Sequence, residues 1–474
     1  MVAAGLAAGG LTRGDVVLMA GTPRPEALFT LFAVARLGAV LAPVHPSSTP
    51  PEVAVVTAAA RPALTVGDGE FLTRVRPPGR AMSWDVDAAG HEHLGPDLDV
   101  EPFDQWHSAP EDPAIVAFTS GTSGQAKGVV LTHQNLHWSA RDGRESLGVR
   151  PDDTVLVATP LAHAAVFAGL PQQAWSVGGA VVLLPRFDPE LFLEAIEEFG
   201  VTLAFAVSTM LFRLVRSPRW ETASGPGPYR VLAGGAPLAE TLTGTLGRAG
   251  VTMINTYGLT EASAGVTYAR PEDLADHPLS AGPPVRHVEL RIVGPTGEHL
   301  GPGEAGEIWL RGPAIAREYL DPQGERVPAV DSAGWLHTGD RGVLDRARRL
   351  FVTGRIKDTI VTGGENVDPA EVEHALSTMP GVREVAVVGV PDLDRGETVT
   401  AVIVPDPGAA PDLAAVRAHL GVHLSRHKQP RRVVLVDTLP RTPTGKLRRS
   451  EVLRRVGYET EPSPSTGVPG PPAQ

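Results

Sequence analysis

Residues 118–128, FTSGTSGQAKG, place three glycines, two serines, two threonines and one lysine in a short stretch. Glycines let backbone N–H groups curl around an anion, and hydroxyls and an ammonium add donors and charge. The apolar run AIVAF (114–118) leads into the segment as a strand, and a helix is expected from Thr132. A polyphosphate is the natural guest of such a loop. A merely flexible Gly/Ser linker would need neither the strand before it nor Lys127 within it. The most familiar phosphate loop does not fit, because it requires Gly-Lys followed by a magnesium-binding Ser or Thr. Here Lys127 stands between Ala126 and Gly128. GPGEAG (301–306) satisfies G-x-G-x-x-G, but it precedes a strand instead of opening a helix and reads as a turn.

Four later segments carry the same kind of chemistry: INTYGLTE (254–261), GWLHTGD (334–340), GRIKDTIVTGGENVDPAEVE (354–373) and LPRTPTGKLRR (439–449). Only four lysines occur, and three fall inside the five segments: Lys127 in the first, Lys357 and Lys446 in the later ones. The three asparagines, Asn135, Asn255 and Asn366, fall within or just after them. A compact ammonium or a specific amide is wanted there, where Arg would not substitute. In this order the five segments resemble the motifs of the adenylate-forming superfamily of acyl-CoA synthetases, aryl-CoA ligases, luciferases and peptide-synthetase adenylation domains.

The resemblance implies an AMP-forming acid–thiol ligase that uses ATP, Mg²⁺ and coenzyme A. A carboxylate has no good leaving group until it attacks the α-phosphate of ATP and becomes an acyl-AMP, so cations and donors must meet the charge that builds up there. Thr119, Ser120, Gly121, Thr122, Ser123, Gly124 and Lys127 would grip the β- and γ-phosphates. Glu261 would be the magnesium-linked carboxylate, with Thr260 on the α-phosphate. Tyr257 would lie on adenine and Asn255 would bond its edge, with Gly234, Gly235, Ala236 and Pro237 forming the other wall. Asp340 would accept the ribose hydroxyls, supported by Arg355. Lys446 would bridge the substrate carboxylate and the α-phosphate. After rotation about Lys357, Gly363, Gly364 and Glu365 would approach the pantetheine channel. His163, in PLAHAAVFAG, would sit near the acyl carboxylate.

Plainer readings stand beside these. His163 has small apolar flanks and suits a satisfied core histidine; Glu261 suits a surface carboxylate; Asp340 after Gly339 suits a turn. Arg441, Arg448, Arg449, Arg454 and Arg455 around Lys446 suit a solvated basic face.

The acyl group is constrained by what is missing. Amino-acid-activating relatives carry Asp one position after this His, where Ala164 stands, and acetate-specific ones carry Trp where Gly258 stands. The substrate expected is therefore a carboxylic acid without an α-amino group and longer than acetate, either aryl or aliphatic. The thiol acceptor is coenzyme A or, in a close variant, the phosphopantetheine of an acyl carrier protein. A non-catalytic nucleotide-binding homologue is the alternative from another class.

These residues need a scaffold that brings distant segments together. Apolar runs at 16–20, 39–44, 154–160, 180–185 and 203–207 read as buried strands, alternating with helical patterns such as DPELFLEAIEEFG (188–200). The class is α/β: a large N-terminal domain of layered α/β subdomains plus a small β subdomain from about 281, spanning 1–354. A small α+β C-terminal domain follows over 355–456, mobile by resemblance, then a disordered Pro/Gly/Ser-rich tail, 457–474. REYL (317–320) reads as a surface turn. By the family's pattern the chain starts inside the first helix, roughly 30–50 residues late by the usual sizes of helices and strands.

Composition narrows the classes further. The 474 residues carry a net charge of −12, which argues against nucleic-acid and anionic-membrane binding, and 42% hydrophobic content argues against wholesale disorder. Cysteine is absent, which removes disulfide scaffolds and thiol nucleophiles. No basic signal-peptide start is visible, and ALFTLFAVARLGAVLAP (27–43) is broken by Arg36 and Gly38, so it reads as a helix running into a strand and not as a membrane span. The expected location is the cytoplasm.

Overall fold

Alternating strands and helices build layered sheets in the computed structural model, which describes residues 2–85, 92–94, 103, 106–120, 126–163, 165–222, 229–234, 240–362, 365–392, 395–422, 424–442 and 445–456. The chain divides into two compact units, Met1–Thr353 and Gly354–Gln474. No helix among the described residues is long and apolar enough to cross a membrane. The run 27–43 becomes helix Pro25–Leu37 followed by the buried strand Val40–Pro43.

The first unit holds three sheets. A nine-stranded sheet has a core of parallel strands, Val40–Pro43, Val16–Ala20, Leu64–Gly67 and Ala81–Ser83, buried by helices on its faces. A six-stranded sheet orders Ala264–Ala269, Thr252–Leu259, Arg230–Gly234, Leu203–Val207, Thr154–Val157 and Ala180–Leu183, parallel except at its first pair. The small β region is a four-stranded sheet of Glu289–Val293, Ala305–Arg311, Leu336–Leu344 and Leu350–Arg355.

Two departures from the sequence reading matter for the site. The glycine-rich loop does not lead straight toward a helix. Pro113–Ser120 pairs antiparallel with a further strand, Ala126–Thr132, so the strands on either side of residues 121–125 form a hairpin whose last pairs are Thr119↔Lys127 and Ser120↔Ala126. The helix then starts where expected: Thr132 caps His133–Leu147 in reciprocal hydrogen bonds with Asn135, satisfying amides that would otherwise lack a partner. Secondly, residues 317–320 are not a surface turn. Glu318–Leu320 is a strand that joins the nine-stranded sheet beside Ala126–Thr132. The chain thus leaves the small β region briefly to extend the large sheet, a long-range pairing with no local sequence signal.

In the second unit the long strands Val382–Asp392 and Gly396–Pro405 pair antiparallel, with Arg432–Leu435 added in parallel. Helix Pro369–Ser377 is capped by Asp368, whose Oδ1 accepts from the Ala370 amide, worth about 1 kcal/mol. Its apolar face, with Val372 and Leu376, closes a core with Ile360, Val387, Ala401 and Ile403.

Candidate functional site

The hairpin and the returning strand set three side chains against one another. Lys127, next to the loop, places its ammonium 3.6 Å from Glu261 Oε1 and 3.6 Å from the centroid of the Tyr319 ring. The Tyr319 hydroxyl donates to the same Glu261 oxygen at 3.2 Å. Burial first, and then the negative Glu261, push the Tyr319 phenol well above its ordinary range, so it stays a neutral donor. An ammonium held between an aromatic face and a carboxylate, partly removed from water, is screened less than a surface charge.

Glu261 lies in the short turn Thr260–Ala262, held at a strained junction. Ser263, fully buried, follows in the left-handed region at φ 62°. Such a conformation persists only where the surroundings fix it. Here Ser263 Oγ donates to Ala314 O at 2.8 Å, and the Ala316 amide donates to Glu261 O at 2.7 Å. Gly258, three residues before Glu261, passes so close to Ala264 that a Cβ would collide with its carbonyl. Bulk at position 258 is therefore excluded by the backbone opposite.

Strand Thr252–Leu259 links Glu261 to the third motif, 334–340. The Tyr257 hydroxyl donates to Asp340 Oδ2 at 2.8 Å, both residues being buried. Asp340 is no simple turn residue. It lies within strand Leu336–Leu344, its amide donating to Thr338 Oγ1 at 3.1 Å, while Gly339 before it takes φ 70° and donates to Glu307 Oε1 at 2.9 Å. Asn255 is occupied by framework: its Nδ2 donates to Ser280 O at 2.9 Å and its Oδ1 accepts from the Thr256 amide at 3.0 Å. Those contacts brace the strand that presents Tyr257.

His163 is half-buried and precedes a wide helical turn, Ala165–Gly169, of the kind that recurs at functional sites. Ser139 ties that turn to the carboxylate's segment, its Oγ lying 3.1 Å from Ala168 O and 3.4 Å from Ser263 O. Thr119 is half-buried at the end of its strand, Thr260 half-buried beside Glu261, and Gly234 ends strand Arg230–Gly234. Gly121, Thr122, Ser123, Gly124, Gly235, Ala236, Pro237, Gly363 and Gly364 lie outside the described residues, as does the side chain of Ser120.

Lys446, Arg355, Lys357 and Glu365 belong to the second unit, and all four are exposed. Lys446 sits on a tight turn: its amide donates to Thr442 Oγ1 at 3.0 Å, its carbonyl accepts from the Thr442 amide at 2.7 Å, and Gly445 precedes it. The arginines nearby are not a uniform solvated face. Arg449, only 23% exposed, grips Glu373 with Nη1 at 2.6 Å and Nη2 at 2.9 Å, gives a further bond to Val387 O, and has Nε 3.4 Å from Asp358. Asp358 is the residue after Lys357, so one guanidinium ties that segment to helix Pro369–Ser377. Lys428, the one lysine outside the motifs, binds both oxygens of Glu371, at 2.6 and 2.7 Å.

Sequence reasoning missed Tyr319, Ser139, Thr338 and the Arg449–Glu373 brace. Tyr319, Ser139 and Arg449 have no local signature, since each acts through a partner far along the chain, whereas Thr338 lies inside the motif 334–340 and serves Asp340 two residues on.

The AMP-binding enzyme family matches residues 1–320, and the AMP-binding enzyme C-terminal domain matches residues 371–446. A feruloyl-CoA synthase of an Amycolatopsis species is 36% identical over 461 residues, 96% of this chain and 92% of that protein. An indoleacetate–CoA ligase of Aromatoleum aromaticum is 34% identical over 475 residues, 97% of this chain and 92% of the relative. Among solved structures, ATP-bound MatB from Rhodopseudomonas palustris superposes with a TM-score of 0.85 at 31% identity, covering 96% of this chain and 91% of that one.

Proposed function

This chain belongs to the AMP-binding enzyme family and is an AMP-forming acid–thiol ligase, and from that premise we propose that Lys127, Glu261, Tyr257 and Asp340 form the ATP site at which a carboxylic acid without an α-amino group is adenylated. The observation that carries this reading is the convergence of three separate motifs: Lys127 reaches Glu261, and Tyr257, four residues before Glu261, reaches Asp340.

The chemistry runs in two steps. A carboxylate oxygen of the acid attacks the α-phosphorus of ATP, the α–β bridging bond breaks, and pyrophosphate leaves with the electron pair. The coenzyme A thiolate then attacks the acyl carbon, and AMP departs as the thioester forms. Lys127 meets the departing phosphates and Lys446 the charge shared by carboxylate and α-phosphate, so each cation acts where negative charge accumulates. Tyr257 offers its ring to adenine, and Asp340 accepts from the ribose. His163 lies toward the acid, Lys357 serves as the hinge, and Arg355 supports the nucleotide. By the family resemblance, Glu365, with Gly363 and Gly364, would approach the pantetheine arm after rotation.

A divalent cation suits the donor set. Glu261 and Thr260 offer hard oxygens, and Mg²⁺ takes one or two such protein ligands with phosphate and water completing its shell. Bound there, Mg²⁺ would neutralise phosphate charge. The substrate is aryl or aliphatic; the aromatic acids in the names of both relatives favour an aryl acid.

The test is a panel of carboxylic acids, including ferulate, indoleacetate and medium-chain acids, assayed by hydroxylamine trapping and by AMP release with coenzyme A. Trapped hydroxamate with one class of acid, and AMP release that requires coenzyme A, are expected. Hydroxamate without coenzyme A-dependent AMP release would move the acceptor to a carrier-protein thiol. ATP binding with no hydroxamate from any acid would contradict the proposal.

A further inference from the structure

We propose that Tyr319 is the positioning residue that holds Glu261 in place to receive the metal–nucleotide and gives Lys127 a resting place that does not depend on that carboxylate. The inference rests on the ATP-site reading above and assigns a role to a residue that none of the motifs contains.

Three observations carry it. Tyr319 is fixed by its backbone on both sides: it pairs with Val129 of Ala126–Thr132 and with Val327 of Arg326–Pro328. Alternation along the strand separates its side chain from those of Glu318, which pairs with Arg326, and Leu320, which packs against the core. The ring is thus anchored to the same hairpin that carries the phosphate loop. Next, the hydroxyl and the Lys127 ammonium both address Glu261 Oε1. Both contacts thus converge on one carboxylate oxygen. Finally, Lys127 lies over the ring face, 3.6 Å from its centroid.

The physical consequence is a division of labour. A carboxylate on a flexible side chain loses rotamer freedom when it binds, and a hydrogen bond from a fixed phenol removes that loss beforehand. When a triphosphate draws Lys127 away from Glu261, the ring still supports the ammonium through its quadrupole. The carboxylate keeps its phenolic donor throughout, because the strand pairing on both sides fixes the ring that bears it.

Two variants separate these functions. Tyr319→Phe keeps the ring and removes the hydroxyl; Tyr319→Leu removes both. ATP binding is measured by equilibrium dialysis across a MgCl₂ titration and in EDTA, beside carboxylate-dependent pyrophosphate exchange. For Tyr319→Phe, the MgCl₂ concentration giving half-maximal ATP binding should rise roughly tenfold, the worth of a lost hydrogen bond to a charged group, with binding in EDTA unchanged. Tyr319→Leu should also weaken binding in EDTA several-fold. A merely structural tyrosine would lower the melting temperature and leave the metal dependence where it was; that result in Tyr319→Phe overturns the inference. Should the wild type itself show neither metal-dependent ATP binding nor exchange, the ATP-site reading fails and the Tyr319 inference fails with it.

Discussion

Lys127 and Lys446 are both assigned to phosphate chemistry, yet the two units hold them in opposite ways. Lys127 rests on an aromatic face beside a carboxylate, 31% exposed. Lys446 projects from an exposed turn, and the order lies beneath it, in the Arg449 clamp on Glu373, Val387 and Asp358. In the first region the charge is fixed by its immediate neighbours. In the second the side chain is exposed and the body carrying it is braced by the clamp. A stationary phosphate grip suits the first arrangement. A lysine needed in only one of two half-reactions suits the second.

The comparison is open to attack, beginning with the largest expected effect. Lys446→Ala should slow acyl-AMP formation by roughly 10²–10³-fold, the usual cost of removing one preorganised electrostatic contact. Thioester formation from supplied acyl-AMP should stay close to wild type. Equal loss in both half-reactions, measured by single turnover, would erase the distinction between the lysines.

Arg449→Leu should destabilise the second unit by roughly 3 kcal/mol, because Glu373 is left partly buried without its partner. Adding Glu373→Leu should recover part of that loss in denaturant melts. Strictly additive losses would mean that the clamp is not a coupled pair.

Lys127→Ala should raise the KM for ATP about tenfold, in line with loss of a charged hydrogen-bond donor, and lower kcat less than Lys446→Ala does. A larger effect on kcat than that of Lys446→Ala would reverse the assignment of the two cations.

The smallest effect at neutral pH is alkaline. Burial pushes Tyr268 up to about 12, and Tyr319 is raised as well, so both phenols favour the folded state in neutral form. Their contribution is complete below the ordinary phenol value of about 10 and is lost as pH rises above it. All tyrosines among the described residues lie in the first unit, so melts above about pH 10 should weaken Met1–Thr353 before Gly354–Gln474. A uniform loss across both units would contradict this.

Much of the site was legible because its residues sit in short contiguous motifs. Lys127 stands out by the loop it sits in, whereas Glu261, Tyr257 and Asp340 follow from the family resemblance of their motifs, and the structure connects the four through two contacts. The strands and helices that carry them follow hydrophobic runs and caps, as at Thr132 and Asp368. What escaped was non-local. GVVLT (128–132) is too short a run beside a glycine-rich loop to announce a hairpin strand, and REYL becomes a strand only by pairing with it. Tyr319 therefore looked like a surface residue. Arg449 looked like solvated charge because its partner, Glu373, lies on a helix more than fifty residues earlier. Charge pairing across that separation is a property of the folded sheet, which sequence periodicity does not encode.

The central claim is that three motifs form one site for adenylating an acid, and exchange of labelled pyrophosphate into ATP tests it most directly. The wild type should exchange only when its carboxylic acid is present, and Glu261→Ala should reduce that exchange at least about a hundredfold while the protein stays folded. Exchange that proceeds without acid, or that survives loss of Glu261 undiminished, would contradict the account.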